Sequence, residues 1–110
     1  MNLQALRRIQ AEVKIPLVVH GGTGFPAESA AEVIALGVAK FNFGTALKQA
    51  YLSVIREKLE EYHEPMNPHL FLGMGGEQDI LMAGREAVKL KAKELIMAYG
   101  FAGKPRKVLN

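Results

Sequence analysis

His20-Gly-Gly-Thr-Gly24, at the end of the apolar run Ile15-Pro-Leu-Val-Val19, sets a metal-capable imidazole beside a backbone stripped of side chains. A strand that delivers His at its C-terminal end and then turns through glycines can present one ligand and several N–H groups to an anion together. About twenty residues on, Val38-Ala-Lys-Phe41 ends in Asn42-Phe-Gly-Thr45 and opens directly into a long helical pattern. Two strands therefore end in two polar, glycine-containing loops.

Each of these features also has a plainer reading. His20 can be an ordinary polar residue at a strand end, and the glycines can serve only a tight turn. Gly22-Thr-Gly24-Phe-Pro-Ala27 fits the G-x-G-x-x-A dinucleotide fingerprint, but the acidic residue that fold needs about twenty positions later is missing. No carboxylate lies between Glu32 and Glu57. Asn42 and Thr45 are suited to capping the helix they precede, and a helix N-terminus that holds a phosphate needs such polar neighbours as well. Lys48, one turn in, either adds charge to that site or is a solvated helix residue. His63 and His69 lack the helical spacing of a rigid metal pair. Arg85, Glu86, Lys89, Lys91 and Lys93 read as a solvated helix face, with Arg85 also placed to serve a neighbouring subunit.

The elements that must position these loops follow from periodicity and punctuation. Leu3, Leu6, Ile9 and Val13 recur at helical spacing and predict an amphipathic first helix. Pro16 suits the start of a strand, and Val18 and Val19 suit a strand buried on both sides. Pro26 to Leu36 reads as a short helix stopped by Gly37, Val38 to Phe43 as the second strand, and Thr45 to Tyr62 as a longer helix. Its apolar face carries Leu47, Tyr51, Ile55 and Leu59. The stretch from His63 to His69, with two prolines, reads as loop, and Gly73-Met-Gly-Gly76 extends it. From Gln78 to Tyr99, Leu81, Val88, Ala92, Leu95 and Tyr99 predict a last helix ended by Gly100.

Composition bounds the function classes. The chain has 110 residues, 49% of them hydrophobic and 23% charged, which excludes a disordered chain and fits one small domain. The formal charge of +3 is modest and partly reflects the tail Lys104-Pro-Arg-Lys107, with no interleaved aromatics for stacking on bases, so nucleic acid is not an expected partner. The absence of cysteine excludes disulfides and thiolate metal sites and fits a cytoplasmic location. No stretch is long and apolar enough for a membrane span, and the start Met1-Asn-Leu-Gln-Ala-Leu-Arg-Arg8 lacks a signal-peptide core.

Alternating helices and strands imply parallel strands with right-handed crossovers, which brings the two strand ends side by side. That is how the loops after the last two strands of a (β/α)8 barrel bind phosphate, although a whole barrel needs about 250 residues and eight strands. The expected fold class is therefore α/β, a C-terminal fragment of a (β/α)8 TIM barrel with two strands and flanking helices. Residues 1–110 would be its last two βα units plus a C-terminal helix.

With these residues assembled, the chain resembles the C-terminal part of the class II, zinc-dependent ketose-bisphosphate aldolases, a group that includes fructose- and tagatose-bisphosphate aldolases. The resemblance rests on Pro16-Leu-Val-Val-His-Gly-Gly-Thr-Gly24, on Leu36-Gly-Val-Ala-Lys-Phe-Asn-Phe-Gly-Thr-Ala-Leu-Lys48, and on Ala83-Gly-Arg-Glu-Ala87 running to Gly100-Phe-Ala-Gly-Lys104. It implies that His20 is one of three zinc ligands. It implies that Gly21, Gly22, Thr23, Asn42, Phe43, Gly44 and Thr45 hold dihydroxyacetone phosphate; the backbone N–H groups of Gly22 to Gly24 and Gly44 to Thr45, at two helix N-termini, are the expected phosphate donors. Zinc, with a monovalent cation as a further option, is the implied cofactor, acting as a Lewis acid on the ketose oxygen.

Phe43 and Gly44 depart from the usual residues of the family's N-V-x-T motif. The proton-shuttling carboxylate and the two other zinc histidines are expected upstream, so no catalytic acid or base is assigned within these residues and the isolated chain is expected to be inactive. The expected partners are a phosphorylated ketose and either the missing barrel half or further copies of the chain. Two alternatives stand beside this reading: a non-catalytic sugar-phosphate-binding half barrel, and an interaction or split-gene fragment that pairs its open strands with a partner.

Overall fold

The computed structural model describes residues 2–100. The basic tail Lys104–Lys107 and the last part of the resemblance, from Phe101 onward, lie outside them. The chain divides into two compact units, Met1–Asn42 with Glu94–Asn110, and Phe43–Lys93.

The first unit starts with helix α1, Leu3–Glu12, where Asn2 caps the N-terminus by accepting from the Ala5 N–H at 3.1 Å. Val13, expected inside the helix, is extended and ends it. Strands β1, Leu17–Val19, and β2, Val38–Phe41, form a two-stranded parallel sheet. Leu17 pairs with Val38, Val18 with Lys40 and Val19 with Phe41, with an irregularity between Leu17 and Val18. Pro16 has no N–H to give a ladder, so the first bond is from the Leu17 N–H to the Gly37 carbonyl at 2.9 Å.

Between the strands, Pro26 to Leu36 is not one helix. A 3-10 turn at Ala27–Ser29 leads into helix α2, Ala30–Ala35, and Gly37, at φ 98°, makes the expected stop. The core of this unit gathers Ala30, Val33, Val38 and Tyr99, with Val33 fully buried. The expectation of a strand buried on both sides fails for β1, because Val18 is 45% exposed. Side chains alternate between the faces of a strand, and the face that carries Val18 is only partly covered among the described residues.

The second unit contains helix α3, Thr45–Glu60, the one-turn helix α4, Pro68–Phe71, and most of helix α5, Ile80–Ala98. The α3 boundaries agree with the sequence to within two residues of Tyr62. The segment read as pure loop proves to hold α4, because Asn67 accepts from the His69 N–H at 3.0 Å and Pro68 occupies a first-turn position that needs no N–H. Phe71 is buried and packs on Tyr62 with ring centroids 5.2 Å apart. Among the described residues no helix is long and apolar enough to cross a membrane.

Candidate functional site

β1 delivers an exposed His20 at its C-terminal end, and the chain turns at Gly21, whose φ of 69° lies in the left-handed region. A Cβ there would meet nothing within 4 Å, so the demand for glycine is one of backbone conformation alone. Gly22–Gly24 form a 3-10 turn closed by the Gly24 N–H on the Gly21 carbonyl at 3.3 Å and the Phe25 N–H on the Gly22 carbonyl at 3.0 Å.

Asn42, just beyond β2, is bound to the end of β1 and the residues that follow it in three ways. Its N–H donates to the Val19 carbonyl at 2.9 Å, and its carbonyl accepts from the Gly22 N–H at 2.9 Å. Its side-chain Nδ2 lies 3.2 Å from His20 Nδ1. The ring tautomer follows the orientation of this amide. An amide nitrogen toward the ring makes Nδ1 the acceptor and puts the proton on Nε2, whereas an amide oxygen there takes a proton from Nδ1 and leaves the Nε2 lone pair for a metal. The parallel pairing thus brings His20 and Asn42 together, as the alternation of elements predicts.

Two details differ from the expected phosphate cradle. The Gly22 and Gly24 N–H groups already have carbonyl partners, and the first glycine loop opens into a 3-10 turn, with α2 starting only at Ala30. The Gly21 N–H, by contrast, is engaged by no hydrogen bond among the described residues.

Phe43, Gly44 and Thr45 open the second unit. Neither Asn42 nor Thr45 caps α3: Gly44 holds the cap position with no side-chain hydrogen bond, and Thr45 is the first helical residue. Among the described residues no hydrogen bond engages the Gly44 or Thr45 N–H, so this end of α3 keeps donors and the positive end of its dipole. Lys48 is exposed, as the solvated reading has it, and Arg85 is exposed on α5. His63 and His69 lie in the second unit, and among the described residues no group of three or more His, Asp or Glu could hold a metal ion.

Two residues with defined polar roles escaped the sequence reading. Asp79, 1% exposed, takes the Gly73 and Gly75 N–H groups on Oδ2 at 2.8 and 2.7 Å and the Leu81 N–H on Oδ1 at 2.8 Å. The Gly75 bond foremost, helped by those from Leu81 and Gly73 and opposed by burial, holds this carboxyl below its ordinary 3.8. An Asp between a glycine-rich stretch and an apolar helix is a capping signal, and it was legible in principle. Tyr99 donates its hydroxyl to the Phe25 carbonyl at 3.0 Å, and no local pattern announces that bond.

The sequence profile of the family Fructose-bisphosphate aldolase class-II matches residues 1–104. Over 104 residues the chain is 33% identical to the uncharacterized protein YdjI of Escherichia coli (strain K12), a match covering 94% of this chain and 32% of that protein. It is 31% identical over 104 residues to the fructose-bisphosphate aldolase of Geobacillus stearothermophilus, covering 94% of this chain and 33% of that enzyme. The X-ray crystal structure of the YdjI aldolase from Escherichia coli K12 is similar with a TM-score of 0.71 at 29% identity, over 93% of this chain and 34% of that one. The chain spans about a third of the length of the relatives it matches. A profile match across nearly the whole sequence, on an α/β chain whose parallel strands end in the His20 and Asn42 loops, makes this chain a member of the class-II fructose-bisphosphate aldolase family.

Proposed function

We propose that the chain forms the C-terminal part of a (β/α)8 barrel that cleaves a ketose bisphosphate reversibly to dihydroxyacetone phosphate and an aldehyde. The observation that carries this reading is the pairing of His20 with Asn42 at the C-terminal ends of adjacent parallel strands, the end at which barrel enzymes place their chemistry. His20 is exposed and can give one imidazole nitrogen to a metal, with Asn42 setting which one. That fits one corner of a zinc site. The remaining ligands, and the carboxylate that moves the proton, belong to barrel strands outside the described residues.

When bound, zinc supplies Lewis-acid polarisation of the ketose oxygen. The chain's own residues bind and orient. Gly21, Gly22, Thr23 and Asn42 in the first unit, and Phe43, Gly44 and Thr45 directly following Asn42 in the chain, are the substrate-holding residues. In the first unit the Gly21 N–H is the phosphate donor of choice, since the Gly22 and Gly24 N–H groups are occupied.

The test is complementation. The chain is co-expressed with the N-terminal two-thirds of the Geobacillus stearothermophilus aldolase, and zinc-dependent cleavage of fructose 1,6-bisphosphate is measured. Cleavage that is lost with His20→Ala supports the reading. Cleavage that survives His20→Ala, in an assembled complex, overturns the assignment of His20. A second reading, a fragment that pairs with a partner, is favoured by the exposure of Val18 on a two-stranded sheet. It predicts assembly with the same N-terminal segment without cleavage.

A further inference from the structure

The glycine loop is held from behind by a residue near the far end of the described chain. Tyr99 follows α5 and is 5% exposed. Its hydroxyl donates to the Phe25 carbonyl at 3.0 Å, while the Phe25 N–H donates to the Gly22 carbonyl at 3.0 Å. Both polar groups of Phe25 are thereby fixed, one to the 3-10 turn and one to Tyr99.

The rings reinforce this arrangement. Phe41 stands 4.9 Å from Tyr99 in an edge-to-face contact and 5.6 Å from Phe25, and Phe25 stands 6.4 Å from Tyr99. Phe25 directly follows Gly24, and Phe41 directly precedes Asn42. One aromatic cluster therefore backs both chain segments that carry His20 and Asn42. Burial, and next Glu28, push the Tyr99 phenol above its ordinary 10.0, so the hydroxyl remains a donor at neutral pH.

We propose that Tyr99 is a positioning residue for substrate phosphate: its bond to the Phe25 carbonyl fixes the Gly22–Gly24 turn, which, through the Gly24 N–H on the Gly21 carbonyl, holds the Gly21 N–H in place for the ligand. The proposal rests on the substrate-holding role given above to Gly21, Gly22 and Thr23. Glycines have wide conformational freedom, so a turn built from them gains a single shape from outside contacts, which here are the Asn42 carbonyl at the Gly22 N–H and the Tyr99 hydroxyl at the Phe25 carbonyl. Without the hydroxyl, the turn samples other shapes, and affinity falls by the fraction of time the receptive one is lost.

The experiment uses the 110-residue chain, isotopically labelled, assembled with the N-terminal two-thirds of the Geobacillus stearothermophilus aldolase and titrated with dihydroxyacetone phosphate, as wild type and as Tyr99→Phe, which keeps all three rings. The expected result is a thermal midpoint close to wild type, faster amide exchange at Gly24 and Phe25, and dihydroxyacetone phosphate affinity weakened about 3- to 10-fold. Equal affinity in the two proteins overturns the proposal. If the wild type binds no dihydroxyacetone phosphate, the substrate-holding reading fails by itself, and amide exchange then decides the role of Tyr99. Faster exchange in Tyr99→Phe keeps it as the anchor of the loop, and unchanged exchange overturns that too. Should Tyr99→Phe not fold, replacement of Tyr99 by 4-aminophenylalanine, which restores a donor at the same place, must hold wild-type exchange at Gly24 and Phe25 for the proposal to stand.

Discussion

Gly84, on α5, faces Tyr51, on α3, so closely that a Cβ added to it would lie 2.7 Å from Tyr51 Cδ2 and 3.0 Å from Cζ. Both residues belong to the second unit, so this approach sets how closely its two long helices can pack at that point. In an exposed helix, Gly→Ala would stabilise by about 1 kcal/mol. Here the rigid ring must swing away, so Gly84→Ala is expected to destabilise by about 1–3 kcal/mol in urea unfolding. Tyr51→Leu combined with Gly84→Ala should recover part of that loss, and strictly additive losses would mean that the two side chains are not in contact.

Asp79 gives a pH-dependent contribution whose sign is fixed. Its folded-state value lies below the ordinary 3.8, so its stabilisation is fully present above 3.8 and is lost as pH falls through the depressed folded value. Asp79→Asn keeps the shape but loses the charge that the Gly73, Gly75 and Leu81 N–H groups point at. Its thermal midpoint should lie below wild type at neutral pH, and the gap should narrow in acid. A gap independent of pH would count against a charged Asp79 in the folded chain.

His20 and Gly21 are neighbours with opposite expected effects. Gly21→Ala forces a side chain into φ 69° and should cost about 1–2 kcal/mol, a backbone penalty only, since no atom lies within 4 Å of the new Cβ. His20→Ala removes an exposed side chain and should change stability by no more than about 0.5 kcal/mol. On the function proposed above, His20→Ala should nevertheless abolish metal-dependent cleavage by the chain assembled with the N-terminal part of its relative. Denaturant midpoints and a coupled assay for dihydroxyacetone phosphate check both expectations.

The open sheet should drive association. β1 and β2 pair only with each other among the described residues, and Ile15 and Val18 are exposed. The purified chain is expected to self-associate in light scattering, and Val18→Thr should reduce this while leaving the fold intact. A monomer that unfolds cooperatively would show that the two strands need no further partner.

Local chemistry was enough to read much of the chain. The 3.6-residue period of Leu47, Tyr51 and Ile55 placed α3, Gly37 and Gly100 placed two stops at their positive φ values, and the alternation of elements placed β1 beside β2 with His20 and Asn42 at adjacent ends. These are properties of spacing and backbone, which a sequence carries directly. The α4 turn needed only closer attention to Asn67 and Pro68, and Asp79 to its place before an apolar helix.

What only the tertiary structure decided depends on partners far apart in the chain. The Tyr99–Phe25 bond joins residues 74 apart, and the orientation of the Asn42 amide on His20 joins side chains 22 apart; alternation puts the two strand ends together, but such side-chain contacts leave no periodic trace. The burial of β1 was overestimated for a related reason. A run of Val18 and Val19 records the environment a strand is made for, and two strands alone do not supply it.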